Sequence, residues 1–101
     1  MWGTIDMEVR NGSFAWDSRK ERVNLHKHHV GFLTACEVFK DPRRIVLDDA
    51  KHSAQERRYF CIGRVRGRVL TVRFLYLGED IRIIGAAEWR KWRKFYEKET
   101  R

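Results

Sequence analysis

The sequence predicts an α+β fold, an antiparallel β-meander packed with two N-terminal helices and one C-terminal helix. Three observations carry that expectation. Hydrophobic residues recur with a helical period towards both ends of the chain and with a two-residue period in the middle. The apolar runs of the middle are separated by short turns, which join antiparallel neighbours, whereas a parallel crossover needs about a dozen residues or more. A chain of 101 residues with 43% hydrophobic and 13% aromatic content is too apolar for a disordered tail and long enough for one small core.

Taken in order, residues 1–13 carry a turn signal at Asn11-Gly12-Ser13 and read as a loosely ordered lead-in to a single domain over 14–101. Phe14-Ala15-Trp16 gives a short extended start. Asp17 or Ser18 then caps a helix running to about His28, with Ser18 and Glu21 at capping-box spacing. Past Gly31, Phe32, Cys36 and Phe39 fall on one side of a short second helix, which Asp41-Pro42 ends.

Ile45-Val46-Leu47 is a short apolar run, which leaves the meander with three strands or, counting this run, four. Arg58–Arg64 and Arg68–Tyr76 are strands, with Gly67 in the turn between them. In the second, Leu70, Val72 and Phe74 share one face while Thr71 and Arg73 take the other. A turn at Leu77-Gly78-Glu79-Asp80 leads to the strand Ile81–Ile84. Helical spacing returns from Gly85 to Thr100, with Trp89, Trp92 and Tyr96 on one stripe. The helices are expected to cover one face of the sheet and to leave the other open to solvent and ligand.

Lys and Arg number 22 against 14 Asp and Glu, for a net charge of +8 and an isoelectric point near 10.0. Such an excess favours a polyanionic partner, because clustered cations displace counterions from phosphates. Charge alone does not separate RNA, DNA and an anionic membrane. No apolar stretch approaches the roughly 20 residues of a membrane helix, and the start Met1-Trp2-Gly3-Thr4-Ile5-Asp6 lacks the basic and apolar regions of a secretory signal. Cys36 and Cys61 have no Cys-x-x-Cys spacing, so reduced thiols in a cytoplasmic protein are expected. There is no phosphate-binding P-loop, dinucleotide glycine motif or nucleophile elbow.

Three constellations could carry chemistry. In Asn24-Leu25-His26-Lys27-His28-His29, His26 and His29 have the spacing of a helical metal pair, with only His52 left to join them from afar. The same cations would equally offset the negative end of a helix dipole. An imidazole titrating near neutrality beside a lysine is also what proton transfer at a phosphodiester requires. The second constellation is the set Arg58, Arg64, Arg66, Arg68, Arg73 and Arg82, whose guanidinium groups can each hold a phosphate through two parallel hydrogen bonds. Arg82 stands between Ile81 and Ile83 and should project opposite to them. The third runs from Trp89 to Tyr96, where Arg90, Lys91, Arg93 and Lys94 interleave with aromatics. Its rings suit base stacking, but their spacing also suits packing on the sheet. Asp48-Asp49 reads as a strand-end turn pair.

Phe14-Ala15-Trp16-Asp17, Asn24-x-x-Lys27-His28, Val38-Phe39-x-Asp41-Pro42, Arg58-Tyr59-x-x-Ile62-Gly63, Gly67-Arg68-x-Leu70 and Arg82-Ile83-Ile84 follow one another along the chain. In that order they resemble the BrnT family of type II toxin–antitoxin toxins, over about Phe14 to Tyr96. The resemblance implies a RelE-like fold and an endoribonuclease that cuts RNA and inhibits translation and growth. It also implies a BrnA-like antitoxin with a ribbon-helix-helix region, a 2:2 complex and DNA contact only through the antitoxin; with no long apolar stretch in the chain, no membrane partner is expected. Lys27, His28, Arg58, Arg68 and Arg82 stand at family positions. The chain departs from the family at His29, where glycine is usual, and at Gly85-Ala86-Ala87, where Ser-Ala-Arg is common; Arg90 is the nearest substitute for that arginine.

The expected mechanism is metal-independent attack of the ribose 2′-hydroxyl on the adjacent phosphate, with no cofactor. His28 is the better general base, since an ordinary histidine has a pKa of about 6.5 and an ordinary lysine about 10.4. Lys27 would clamp phosphate, and Arg68, Arg82 and Arg90 would stabilise developing charge. Arg58, Arg64, Arg73, Trp89 and Lys91 would hold RNA. The alternative is a non-catalytic module that grips RNA or the ribosome through the same basic face.

Overall fold

The two-residue period in the middle of the chain becomes a set of long strands. In the computed structural model, which describes residues 7–101, the elements are β1 (Glu8–Asn11), β2 (Phe14–Asp17), α1 (Ser18–His28), α2 (Phe32–Val38), β3 (Ile45–Asp48), β4 (Tyr59–Val65), β5 (Arg68–Leu77), β6 (Asp80–Ala87) and α3 (Arg90–Glu99). A 3-10 turn covers Ala50–His52 between β3 and β4. The strands form one six-stranded sheet in the order β1-β2-β6-β5-β4-β3. The expected meander is β3 to β6, antiparallel throughout.

Two strands extend it beyond expectation. Residues 8–11, assigned from the sequence to a loose lead-in, pair in full register with β2, from Glu8 opposite Asp17 to Asn11 opposite Phe14. Gly12, at φ +61°, makes the tight turn between them, a conformation that costs glycine little. The part of that lead-in over residues 1–6 lies outside the described residues. β2 then joins β6 in parallel through only two positions, Phe14 with Ile81 and Ala15 with Arg82.

The start of the closing helix also differs. Gly85, Ala86 and Ala87 continue β6, with Ala86 opposite Val72 and Ala87 opposite Thr71, and α3 begins at Arg90. These small residues follow a strand because both alanines are buried against β5. A register shift between Arg73 and Phe74 marks the irregularity opposite Ile84.

The helices do not share one face. Phe32, Ala35, Cys36 and Val38 of α2 bury Cys61, Leu70, Val72 and Phe74. Tyr96 of α3, with Trp92 and Phe95, packs on Ile62 and Val69, which point the opposite way. The reason is visible in β5, where Val69, Leu70, Thr71 and Val72 are all buried in succession. A strand that is apolar on both sides requires cover on both. What remains of the α3 face is the part near β6, β2 and the Arg73 end of β5.

Local contacts fix these layers. Asp17 caps α1, its side chain accepting from the Arg19 backbone N–H at 2.8 Å. Glu21 does not complete a capping box with Ser18. It accepts instead from the Trp16 indole N–H at 3.0 Å and from the Phe32 backbone N–H at 2.8 Å, tying β2 to the start of α2. Asp41 accepts from the backbone N–H groups of Arg43 and Arg64 and from the Tyr96 hydroxyl, so the Asp41-Pro42 turn anchors α3. Burial opposes ionisation of Asp41, but these hydrogen bonds outweigh it and hold the carboxyl below its ordinary value. A side chain at Gly63 would bring its Cβ within 2.9 Å of the Val38 carbonyl oxygen, which explains a glycine inside β4.

Among the described residues no helix is long and apolar enough to cross a membrane. Cys36 and Cys61 are buried and free, and burial pushes their thiols up to about 11 and about 12.

Candidate functional site

Because β2 leaves β6 after two paired positions, the rest of β6 needs another neighbour. Helix α1 supplies one. The buried Asn24 amide donates to the Ala86 carbonyl at 2.8 Å, accepts from the Ala86 N–H at 3.1 Å, and donates to the Val30 carbonyl at 2.9 Å. One side chain thus does for Ala86 what an adjacent strand would do, and α1 lies along the sheet edge. Its last turn, with Lys27 and His28, comes beside the uncovered part of the α3 face. His29 closes α1 in the left-handed region at φ 59°, its N–H donating to the Leu25 carbonyl at 3.0 Å.

Across from α1 stands the start of α3. The rings of His28 and Trp89 meet edge to face with centroids 5.7 Å apart. Two hollows flank this contact. One, of about 490 Å³, is lined by Lys20, Lys27, His28, Arg73, Gly85 and Trp89 among others. The second, of about 360 Å³, is lined by His52, Phe60, Arg73, Trp89, Arg90 and Lys91, with Trp92. Arg73 and Trp89 belong to both, so the two form one basic, aromatic-walled concavity. Lys91 Nζ stands 4.9 Å from the centre of the Trp92 ring, and Phe60 lies against the same tryptophan.

Arg73 is central to it. The side chain is 27% exposed, and its Nε is buried without a hydrogen-bond partner, 3.9 Å from Asp49 Oδ2. A guanidinium with spare donors at the junction of two hollows is suited to receive an oxyanion.

The structure therefore brings Lys27, His28, Arg73, Trp89, Arg90 and Lys91 together. The other candidates lie elsewhere. Arg82 projects opposite to its flanking isoleucines, as expected, but its Nη1 binds both oxygens of Glu8 at 2.9 and 2.8 Å and it lines neither hollow. Arg68 faces Glu88 at 3.4 Å and lines neither. Arg64 lies over the Tyr96 ring, 5.6 Å from its centre, and lines a separate hollow beside Asp41 and Pro42. Arg58 pairs with Glu56 at 3.2 Å and lines a small recess shared with His52. The stripe expected of Trp89, Trp92 and Tyr96 is divided: Trp92 and Tyr96 pack on the sheet, while Trp89 precedes α3 and meets His28.

Asp49 and His52 are a pair that the sequence hides. The Asp49 side chain is 3% exposed, and both its oxygens face His52 Nδ1, at 3.1 and 3.0 Å. Their three-residue spacing is the one sequence signal that could have marked them, and a strand-end turn explains the same residues. Among the described residues, no group of three or more His, Cys, Asp or Glu is gathered to hold a metal ion.

Over residues 16–93 the chain matches a family described as the ribonuclease toxin, BrnT, of type II toxin–antitoxin systems. No curated protein matches it.

Proposed function

Since the chain belongs to the BrnT family of ribonuclease toxins of type II toxin–antitoxin systems, we propose that the concavity between α1 and α3 is its RNA cleft. There the 2′-hydroxyl of a ribose attacks the adjacent phosphorus without a metal, leaving a 2′,3′-cyclic phosphate and a 5′-hydroxyl end. The observation that carries this assignment is the convergence of Lys27, His28, Arg73, Trp89 and Arg90 on one concave surface from a helix end, a strand and a second helix.

In this mechanism His28 accepts the 2′ proton, and its contact with Trp89 sets the plane of its ring. Lys27 clamps the phosphate from the same helical turn. Arg73 and Arg90 face the charge that grows on the phosphoryl oxygens, and Trp89 offers a base a stacking surface. Lys91 extends the phosphate track. Arg58, Arg64, Arg68 and Arg82 contact RNA outside the reaction centre, Arg68 and Arg82 with their charge moderated by Glu88 and Glu8. Translation and growth would stop through loss of RNA in the cytoplasm. A BrnA-like ribbon-helix-helix antitoxin would mask the cleft in a 2:2 assembly and carry any contact with DNA. The RelE-like topology implied by the resemblance belongs to the same proposal.

The test incubates purified protein with RNA in excess chelator and identifies the ends formed. Cleavage to cyclic phosphates, falling by about 100-fold in Arg73→Ala, is expected, since one well-placed donor is worth about 2.7–4 kcal/mol in such sites. RNA bound with steep salt dependence but left intact would instead establish a binding module. Loss of cleavage on chelation would refute the metal-independent mechanism.

A further inference from the structure

We propose that His52, oriented by Asp49, is a second catalytic residue of RNA cleavage, the acid that protonates the departing 5′ oxygen. This rests on the cleft assigned above, since His52 lines the same hollow as Arg73, Trp89 and Arg90.

The geometry is that of a held imidazole. Asp49 is fixed at both ends: its N–H donates to the Arg58 carbonyl at 2.8 Å and its carbonyl accepts from the Ser53 hydroxyl at 2.6 Å. Ser53 Oγ also accepts from the Arg58 N–H at 2.9 Å, which closes the turn on itself. From this base the almost fully buried carboxylate meets His52 Nδ1 with both oxygens, and a carboxylate can only accept. Nδ1 therefore carries a hydrogen, and Nε2 is the atom left for solvent and substrate. The His52 side chain is 46% exposed, so that far edge of the ring is within reach of both. The same Asp49 Oδ2 stands 3.9 Å from Arg73 Nε, so one carboxylate sets the imidazole and the guanidinium relative to each other. A surface histidine with no role needs no buried carboxylate behind it. A carboxylate that orients an imidazole whose other nitrogen faces the reaction is a recurrent arrangement in acid–base catalysis.

The proton balance is simple. The 2′-O–P bond forms as the 2′ proton passes to His28, and the P–O5′ bond breaks as Nε2–H of doubly protonated His52 passes to O5′. His52 is then the neutral ring with its hydrogen on Nδ1, the tautomer that Asp49 holds, so the step requires no rotation of the ring. The charged groups around His52 are Asp49 and Arg73 behind it, Arg90 and Lys91 along the hollow, and Glu56 and Arg58 on the side of the small recess.

The experiment uses the full chain and an oligoribonucleotide whose cleavage position has been mapped with the wild-type protein. A second oligoribonucleotide replaces the bridging 5′ oxygen there with sulfur, whose thiolate leaves without a proton. His52→Ala is expected to cleave the ordinary RNA about 100-fold more slowly or worse, and the sulfur substrate at nearly the wild-type rate. His28→Ala stays slow on both, because the base is still required. Asp49→Asn shows a smaller loss with the same rescue. Equal losses on both substrates in His52→Ala, or no loss on either, would overturn the acid role while leaving the cleft intact. A wild-type protein that cleaves neither substrate would overturn the cleft itself and this proposal with it.

Discussion

Asn24 ties α1, which carries Lys27 and His28, to the end of β6, and its replacement is a sharp test of that connection. Its amide, 7% exposed, makes hydrogen bonds of 2.9, 2.8 and 3.1 Å to Val30 and Ala86. In Asn24→Ala two carbonyls and one N–H lose their partner in a buried setting, at about 1–3 kcal/mol for each group left unsatisfied. Some water will reach the vacated space, so a loss of about 3–5 kcal/mol is expected, against a total stability of about 5–15 kcal/mol for a domain. With a denaturant slope of about 1–3 kcal/mol per molar urea, the unfolding midpoint should fall by about 2 M. Asn24→Asp keeps the acceptor for the Ala86 N–H but turns an oxygen towards two carbonyls, and it should be no better than alanine. Hydrogen exchange at the Ala86 amide should accelerate in both variants. A midpoint lowered by less than about 0.3 M, with the Ala86 amide still protected, would refute the idea that this side chain replaces a strand.

Other expectations follow from single features. His29→Gly relieves a left-handed residue at φ 59° and should raise the melting temperature by a few degrees, since the strain of about 1–2 kcal/mol is only partly offset by the freer unfolded chain. Gly63→Ala forces a Cβ to within 2.9 Å of the Val38 carbonyl oxygen and should cost about 1–3 kcal/mol in urea unfolding. The Arg19 side chain, and then its backbone N–H, hold the Asp17 carboxyl down at about 2. A depressed folded pKa means stability that is complete above the unfolded value of about 3.9 and lost as pH falls towards 2. Asp17→Asn, which can still cap the helix but carries no charge for Arg19, should therefore flatten the stability profile over that acid window by lowering stability at neutral pH and leaving it unchanged near pH 2. Burial holds the Cys36 and Cys61 thiols up at about 11 and about 12, so iodoacetamide at pH 8 should label neither in the native protein and both after denaturation.

Much of the fold could be read from the chain because local chemistry agreed with the final packing. The alternation of Leu70, Val72 and Phe74 with Thr71 and Arg73, the cap at Asp17 and the break at Asp41-Pro42 all act within a few residues of where they are written. Strand β1 was illegible because Glu8-Val9-Arg10-Asn11 carries little apolar signal, and its charged partners lie far away: Arg10 binds Asp80 and Glu8 binds Arg82. Gly85–Ala87 fit the helical spacing that follows them and carry no two-residue alternation of their own, so only the pairing with β5 reveals them as strand. The face taken by α3 depended on Val69 and Ile62 needing cover, a property of the assembled sheet.

The site divides in the same way. Lys27 and His28 were legible as neighbours on a helix end; Arg73, Trp89 and Arg90 were candidates in the sequence as well, but only the fold brings them beside that helix end. Arg68 and Arg82 stood out equally in the sequence, yet their carboxylate partners lie 20 and 74 positions away, beyond any local pattern. Asp49 and His52 are close in sequence, but nothing there shows that the carboxylate is buried or that the ring borders a hollow.

The coupling of Asn24 to Ala86, 62 positions later, also orders events in time. As the polypeptide emerges from the ribosome, α1 is made early and has nothing to lean on until β6 has followed it. Contacts so distant along the chain form late, after the loops between them have closed. Trp89 and Arg90 come later still, so a nascent chain lacks one whole wall of the concavity until its final helix is in place. On the proposed assignment of the cleft, RNA cleavage begins only after Trp89 and Arg90 have been made and folded against α1.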